Sequence, residues 1–190
     1  LVTVKEKVKR KGFLITFEGV EGSGKSTQMD LLYERMEKDQ YPVIKTRDAW
    51  GQYFRKKLLH GDGSPEEELQ GFIDDRREHV REVIAPALKK GVHVLCDRFS
   101  DSTIAFQHYG RGLDLHPIQQ MDNAARQGIL PRLTILLDIN PAIGLVRKIK
   151  QGVETRFERE NLEFHTRVRN GYLAIAKEEP WRVFVLDGED

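Results

Sequence analysis

The chain has 190 residues, which is enough for one well-filled domain and short for two. Charged residues make up 32% and hydrophobic residues 39% of the sequence, a balance that predicts a globular protein with a very polar surface. The formal net charge of +1 gives no overall basicity for nucleic acid, no apolar run reaches transmembrane length, and the single cysteine, Cys96, excludes a disulfide within the chain. We therefore expect a cytoplasmic protein that binds neither nucleic acid nor a membrane.

Strand-like and helix-like segments alternate along most of the chain. Residues 1–12 are interpreted as a solvated basic tail, without the apolar stretch of a signal peptide, that precedes a single domain at 13–190. Apolar, strand-like runs lie at 13–17, 42–46, 92–96, 133–138 and 183–186, and helical patterns lie near 25–39, 65–90, 116–128, 140–150 and 158–178. This alternation predicts an α/β fold of three layers, in which a five-stranded parallel sheet carries helices on both faces.

A glycine-rich loop joins the first predicted strand to the first predicted helix. It matches the phosphate-binding pattern G-x-x-x-x-G-K-[ST] at every fixed position, in the strand–loop–helix context that the pattern requires. The backbone N–H groups of such a loop surround an anion, and the helix start adds partial positive charge. The domain is therefore predicted to have the P-loop NTPase fold, with Lys25 on the β- and γ-phosphates and Ser26 on Mg²⁺. The predicted ATP-binding residues are Gly19, Val20, Glu21, Gly22, Ser23, Gly24, Lys25, Ser26 and Thr27.

The helical pattern at 65–90 carries an aromatic residue and an arginine on one face. Phe72 and Arg76 are four residues apart, so a ring and a guanidinium one turn away can stack on a base and bind a phosphate. Taken alone, the same spacing also fits a core phenylalanine and a solvated arginine. Pro86 lies inside this helix and predicts a kink or a break.

Charged residues stand at the ends of the second and third predicted strands. Ligands of such sheets gather at the carboxyl ends of the strands, so Asp97 is placed to hold Mg²⁺ or its water shell opposite the phosphate loop. Arg98 can orient the transferring phosphates, and Arg47 points to the same edge. A strand-end acid in an ordinary surface ion pair is the alternative for Asp97, but the phosphate loop needs a metal partner.

The segment 147–160 is rich in charge and has two interpretations. It can be an exposed helix–loop–helix with surface ion pairs, or a lid that closes over the phosphates and delivers an arginine. Composition does not choose between them. After the last predicted strand no helical pattern remains, so we expect a final helix on that side to be absent.

Several motifs together resemble those of the thymidylate (dTMP) kinase family. The phosphate loop at 17–27, the F-x-x-x-R helix at 72–76, Asp97-Arg98-Phe99, the segment 102–113 and Arg156-Phe157-Glu158 all resemble family elements. The resemblance runs from residue 13 to about 187, and the combined pattern is far more specific than the phosphate loop alone.

The resemblance implies a role for each matching residue. An ATP-dependent dTMP kinase with Mg²⁺ as cofactor, acting as a homodimer, is expected. Lys25, Asp97, Arg98 and Arg156 are implied to be catalytic, with Ser26 and Asp97 at the metal. The implied acceptor residues are Glu21 at the sugar, Phe72 on thymine, Ser102 and Gln107 beside the base, and Arg47, Arg76 and Arg98 around the phosphate.

One branch of the family has an arginine in the phosphate loop where this chain has Gly22, so the chain resembles the branch whose catalytic arginine lies in the lid. Arg147 and Arg159 are the other lid candidates. The family pattern T-R-E-P-G-G-T is replaced by residues 46–52, and Phe106 and His108 replace a tyrosine and a glycine. Other nucleoside-monophosphate or deoxynucleoside kinases, a P-loop ATPase or GTPase without an acceptor, and an inactive binding module remain as alternatives. No N-K-x-D segment for reading guanine is present, which disfavours the GTPase.

Overall fold

The computed structural model describes residues 11–51, 63–150, 157 and 160–189, and these form a parallel sheet with helices packed on it. The strands are β1 (Leu14–Glu18), β2 (Val43–Arg47), β3 (His93–Asp97), β4 (Leu133–Asp138) and β5 (Val183–Asp187). They pair in the order β2-β3-β1-β4-β5, and every pair is parallel. The predicted five-stranded parallel sheet is confirmed, and each strand lies within one residue of its predicted range.

The helices connect the strands in the alternating manner that the sequence predicts. They are α1 (Lys25–Lys38), α2 (Pro65–His79), α3 (Ala85–Lys89), α4 (Ser100–Thr103), α5 (Leu115–Arg126), α6 (Pro141–Lys150) and α7 (Leu162–Glu178). Ser64 caps α2: its hydroxyl accepts the N–H of Glu67, whose carboxylate accepts the N–H of Ser64. None of these helices, over the ranges the structure describes, is long and apolar enough to cross a membrane.

The predicted kink at Pro86 takes the form of a π-helical turn. Val80–Ile84 forms this turn between α2 and α3, and the N–H of Ala85 donates to the carbonyl of Val80, five residues earlier. A proline has no N–H and clashes with the carbonyl four residues before it, so a wider turn ahead of Pro86 lets the helix continue.

A second helical segment, which the sequence analysis did not predict, follows β3. It consists of α4 and a π-helical stretch at Ile104–Gly110. This segment is largely buried and packs against α7, where Gly110 lies close to Phe164 and Val168. It brings Ser102, Phe106 and Gln107 to the region beyond the carboxyl end of β3.

The buried core holds the carboxyl ends of the strands together at one edge. β1 and β3 are buried along their whole length, with α1 on one face through Met29 and Met36 and α7 packed against β4 through Val168. In the strand register Asp97 lies opposite both Phe17 and Arg47. The predicted site residues at the ends of β1, β2 and β3 are therefore neighbours.

Candidate active site

The phosphate loop joins β1 to α1 through left-handed glycines. Gly22 and Gly24 have φ values of 71° and 92°, which a residue with a side chain adopts only at a cost. Gly22 is also enclosed, because a Cβ built on it would lie 2.2 Å from the carbonyl oxygen of Gly144 in α6. The loop therefore keeps the open backbone curvature that surrounds a phosphate.

Lys25 is buried, and its ammonium group lies inside the phosphate loop. Nζ donates to the carbonyl oxygens of Val20 at 2.9 Å and Gly19 at 3.1 Å, and to the hydroxyl of Ser23 at 3.4 Å. Burial, reinforced by the nearby Arg98, lowers the pKa of Lys25 to about 8. An incoming phosphate would offer this ammonium stronger acceptors than the loop carbonyls do.

Ser26 and Asp97 meet, as the proposed metal site requires. The hydroxyl of Ser26 donates to Oδ2 of Asp97 at 3.2 Å. The other carboxylate oxygen of Asp97, Oδ1, is buried and has no hydrogen-bond partner among the described residues. The part of the chain that the structure describes contains no cluster of three or more His, Cys, Asp or Glu side chains suited to a metal. One carboxylate and one hydroxyl fit Mg²⁺, which takes its remaining ligands from water and substrate phosphates.

Arg98 forms an ion pair with Glu21 between β3 and the phosphate loop. Nη2 of Arg98 donates to Oε1 of Glu21 at 2.6 Å, and the guanidinium lies 5.0 Å from the centre of the Phe106 ring. Burial alone would raise the pKa of Glu21, but Arg98 and Lys25 outweigh it and lower the pKa to about 2. Glu21 is therefore ionised, and the ion pair between Arg98 and Glu21 places two fixed charges at the edge of the site.

Ser102 bonds to Arg98 and to groups that the sequence analysis did not identify. Its hydroxyl donates to Glu18 at 2.6 Å and lies 2.7 Å from the hydroxyl of Tyr172 in α7. Nη1 of Arg98 donates to both hydroxyls. The one local signal that could have indicated this cluster is Glu18, a carboxylate at the end of an otherwise apolar strand.

The hydrogen-bond donors of Arg76 are engaged by carboxylates of the protein. It is 1% exposed, and its guanidinium forms ion pairs with Asp48 and with Asp122, the latter at 2.6 Å. Its hydrogen bonds to these two carboxylates engage Nε, Nη1 and Nη2. In this structure Arg76 ties α2 to the end of β2 and to α5, and its place around the acceptor phosphate stays a prediction.

Arg47 has the opposite environment at the last position of β2. It is exposed, and its side chain makes no ion pair within the ranges that the structure describes. The residues that replace the family's P-G-G element are held by α2, because the carboxylate of Asp75 accepts the N–H groups of Trp50 and Gly51 at 2.7 Å each. Residues 52–62 lie outside the described residues.

Phe72 belongs to an aromatic group with Phe106 and Phe157. The Phe157 ring centre lies 6.5 Å from that of Phe72 and 5.2 Å from that of Phe106, and Arg111 lies 5.7 Å from it. We call Phe72, Phe106 and Phe157 the aromatic cluster. Phe72 is half-buried.

Gln107 lies behind the aromatic cluster and is fully buried. Its amide nitrogen donates to Glu68 at 2.6 Å, and Glu68 also pairs with Arg111. Its amide oxygen, Oε1, finds no partner in the described part of the chain. Gln107 therefore does not face open solvent, and its contact beside the base stays a prediction.

The described end of α6 is fastened to the phosphate loop. Arg147, a lid candidate, donates to the carbonyl oxygens of Gly188 at 2.8 Å and Glu189 at 3.0 Å, and reaches that of Gly22 at 3.5 Å. The other lid candidates, Arg156 and Arg159, lie outside the described residues. Phe157 and Glu160 are described: Phe157 packs on Phe106 within the aromatic cluster, and Glu160 pairs with Arg111.

Comparison with known proteins gives one consistent family. The model of the thymidylate kinase family matches residues 17–190. A thymidylate kinase of Synechococcus sp. strain JA-3-3Ab is 47% identical over 178 residues, covering 91% of this chain and 86% of the relative. One of Solidesulfovibrio magneticus is 47% identical over 187 residues, covering 91% and 90%. The crystal structure of thymidylate kinase from Ehrlichia chaffeensis superposes with a TM-score of 0.76 at 34% identity, covering 93% of each chain.

Proposed function

Because the chain belongs to the thymidylate kinase family and transfers the γ-phosphoryl group of ATP to dTMP, forming ADP and dTDP, we propose that the phosphate loop holds the donor and that Arg98 with the aromatic cluster holds the acceptor. The observation that carries this proposal is the 2.6 Å pair between Arg98 and Glu21, which spans from β3 to the phosphate loop. This ion pair fixes the Arg98 guanidinium, as a cation for the acceptor, directly beside the phosphate loop. In-line phosphoryl transfer depends mainly on such positioning and charge stabilisation.

On the donor side, the loop amides and Lys25 bind the β- and γ-phosphates of ATP. The loop residues from Gly19 to Thr27 surround these phosphates. Lys25 exchanges its contacts with the carbonyls of Gly19 and Val20 for phosphate oxygens, which are better acceptors for an ammonium group. With its pKa lowered to about 8 by burial, Lys25 is still mostly protonated near pH 7, and phosphate binding favours the charged form further.

On the acceptor side, Arg98 and Arg47 receive the phosphate of dTMP, and Glu21 lies at its sugar. The Cα of the exposed Arg47, at the end of β2, lies opposite that of Asp97, and Arg98 follows Asp97 in the chain. The two arginines therefore flank the carboxyl end of β3. Arg76 acts from behind, by pairing with the carboxylate of Asp48 just after the end of β2. Phe72 stacks on thymine, with Ser102 and Gln107 beside the acceptor pocket.

Mg²⁺ is proposed as the cofactor, held by Ser26 and Asp97 together with phosphate oxygens. The buried Oδ1 of Asp97, which has no partner within the described ranges, supports this assignment, since such a carboxylate oxygen needs a cation or a donor. When bound, Mg²⁺ neutralises charge on the β- and γ-phosphates. Arg156 is proposed as the arginine that the lid delivers to the transferring group.

A homodimer working in the cytoplasm is proposed on the resemblance to the family. Sedimentation equilibrium of the purified chain gives the subunit number directly, and a species of one chain's mass at micromolar concentration would contradict the dimer.

The function is tested by coupling ADP release to NADH oxidation with and without acceptor. Turnover is expected to need dTMP, and dUMP and the other nucleoside monophosphates are expected to be poorer acceptors. Equal turnover without any acceptor would instead indicate an ATPase, and a preference for a different monophosphate would indicate another kinase on the same scaffold.

Phe72→Ala is expected to raise the KM for dTMP about tenfold and to leave the KM for ATP unchanged. Stacking of a base on an aromatic ring contributes ~1–3 kcal/mol in nucleic-acid binding, and 1.4 kcal/mol corresponds to a tenfold change in affinity. Steady-state kinetics with each substrate varied in turn measures both constants. Phe184→Ala is the matched control, because Phe184 is an exposed ring on β5. Equal effects on the two KM values would mean that Phe72 serves only the core.

A further inference from the structure

The guanidinium of Arg98 is held on two sides. On the side of the phosphate loop, Nη2 donates to Glu21 at 2.6 Å. On the opposite side, Nη1 donates to the hydroxyl of Tyr172 at 2.9 Å and to that of Ser102 at 3.2 Å. Arginine has a long, freely rotating side chain, so fixing both ends of its fork sets the direction of the remaining N–H bonds.

The two hydroxyls are in turn held by Glu18. Oε2 of Glu18 lies 2.6 Å from the Ser102 hydroxyl and 3.2 Å from the Tyr172 hydroxyl, and these two hydroxyls are 2.7 Å apart. Each hydroxyl has one proton and donates it toward the carboxyl group or the other hydroxyl. The lone pairs of both oxygens are thereby left to accept from Nη1 of Arg98. Burial raises the pKa of the Tyr172 phenol well above its ordinary value, so this proton is retained at neutral pH.

Glu18 also holds the backbone from which Arg98 projects. Its Oε1 accepts the N–H of Phe99 at 2.7 Å. Arg98 has φ of 69°, in the left-handed region that is unfavourable for a residue with a side chain. One buried carboxyl group therefore fixes both the strained turn after β3 and the hydroxyls that meet the guanidinium.

These polar groups are expensive to bury. Glu18 is fully buried, Tyr172 is 2% exposed, and the surroundings include Phe106 and Val168. Burial, with Asp101 nearby, raises the pKa of Glu18 to about 8, which reflects the cost of keeping a carboxylate there. Apolar residues of similar volume would fill the same space without that cost, so core packing alone does not account for the cluster.

We propose that Glu18, Ser102 and Tyr172 are positioning residues that orient Arg98 toward the acceptor phosphate, an inference that rests on the proposed role of Arg98. Tyr172 lies in α7, 74 residues after Arg98 in the chain, and it meets the guanidinium only in the folded protein. Ser102 consequently acts through Arg98, which is a different role from the expected contact beside the base.

Tyr172→Phe tests the proposal, because it removes one hydroxyl and keeps the ring. We expect kcat/KM for dTMP to fall about tenfold, on the scale of a hydrogen bond to a charged group, while the KM for ATP stays within twofold of the parent. Ser102→Ala should act in the same direction. Thr16→Val is the matched control, since it removes a buried hydroxyl of β1 that bonds, among the described residues, to Thr134 alone, and its kinetics should match the parent. Equal changes in the two KM values, or none for dTMP, would overturn the positioning role.

A double-mutant cycle with Arg98→Lys separates this proposal from the proposed function. Arg98→Lys alone should raise the KM for dTMP, and Tyr172→Phe added to it should have little further effect, because Tyr172 acts through the lost guanidinium. If Arg98→Lys is damaging and Tyr172→Phe still adds its full effect, the positioning role is overturned and the role of Arg98 stays in place. Near-parent kinetics of Arg98→Lys would overturn both.

Discussion

Replacing Lys25 with methionine is expected to lower kcat by about 10³-fold, on the scale found when a preorganised donor to developing charge is removed. Nζ of Lys25 lies within 3.1 Å of the carbonyl oxygens of Gly19 and Val20, inside the loop that surrounds the phosphates. Methionine keeps the volume of the side chain and removes the charge. The coupled assay at saturating ATP and dTMP measures the loss.

The same substitution is expected to leave the unliganded protein at least as stable as the parent at pH 7. Burial and Arg98 lower the pKa of Lys25 to about 8, from an ordinary value of 10.5. Below pH 8 the folded protein carries the buried charge at full cost. Between pH 8 and 10.5 it has released the proton while the unfolded chain retains it, so stability rises with pH. Methionine avoids a cost of up to about 3 kcal/mol, and the lost hydrogen bonds offset part of this gain.

Urea unfolding at pH 7 and pH 9.5 checks the sign of this effect. The advantage of Lys25→Met should be larger at pH 7, since the parent no longer carries the full charge at pH 9.5. Lys45→Met is the control: Lys45 is a partly exposed lysine on β2 that pairs with Asp30, so kcat should not change. A Lys25→Met protein that unfolds well below the parent, or that retains kcat near the parent value, would contradict the assigned role.

The strands were predictable because their signal is local. β4 at Leu133–Asp138 matches its predicted range, and the other strands shift by one residue at most. Short apolar runs between turns and helices specify buried parallel strands regardless of what packs on them. The phosphate loop was predictable for the same reason, since its glycines and Lys25 stand close together in one short run of the sequence.

The start of the helical segment after β3, α4, was missed because its buried side chains are polar. Ser100, Asp101 and Thr103 are all buried, and their partners come from distant parts of the chain. The Ser100 hydroxyl donates to Asp122, and Asp101 pairs with Arg182. No apolar periodicity marks such a helix, so the sequence pattern does not distinguish it from a loop.

The environment of Arg76 was unpredictable for a related reason. The spacing of Phe72 and Arg76 correctly indicates a shared helix, and both residues lie in α2. The carboxylates that surround Arg76, Asp48 and Asp122, lie 28 and 46 residues away in sequence. Whether an arginine is free for a ligand depends on such distant partners, which no local pattern reveals. The same holds for Glu18 and Tyr172, which meet across 154 residues.

The packing of the phosphate loop explains why no arginine stands at Gly22. An arginine side chain at Gly22 would have to begin where a Cβ lies 2.2 Å from the carbonyl oxygen of Gly144, on a backbone with φ of 71°. Gly144 is equally enclosed, since a Cβ there would lie 2.0 Å from the carbonyl oxygen of Glu21. The two glycines let α6 touch the loop and leave no room for a cation at that position.

Among the three lid candidates, Arg147 already has hydrogen-bond partners. Its guanidinium bonds to the carbonyls of Gly188 and Glu189, so it fastens α6 to the end of β5. Arg147→Ala is therefore expected to lower stability more than it lowers kcat.

Arg156 lies outside the described residues and directly precedes Phe157, which is held by His165 of α7 and by the aromatic cluster. The carbonyl of Phe157 lies 2.9 Å from Nε2 of His165, and its ring packs on Phe106. Burial lowers the pKa of His165, so its ring is mainly neutral at pH 7 and donates this hydrogen bond through Nε2–H. Phe157, the residue after Arg156 in the sequence, thus lies in the aromatic cluster.

Arg156→Ala is consequently expected to lower kcat by about 10³-fold and to leave the affinity for dTMP nearly unchanged. A guanidinium that meets the phosphoryl group only when the lid closes stabilises the transition state more than the open ground state, so its loss is read in kcat. The comparison is kcat for Arg147→Ala, Arg156→Ala and Arg159→Ala, with calorimetric Kd for dTMP on each. A large loss confined to Arg159→Ala would move the role to that residue. Near-parent kcat in all three variants would mean that 147–160 is a solvated charged surface and that transition-state charge is met by Lys25 and Arg98 alone.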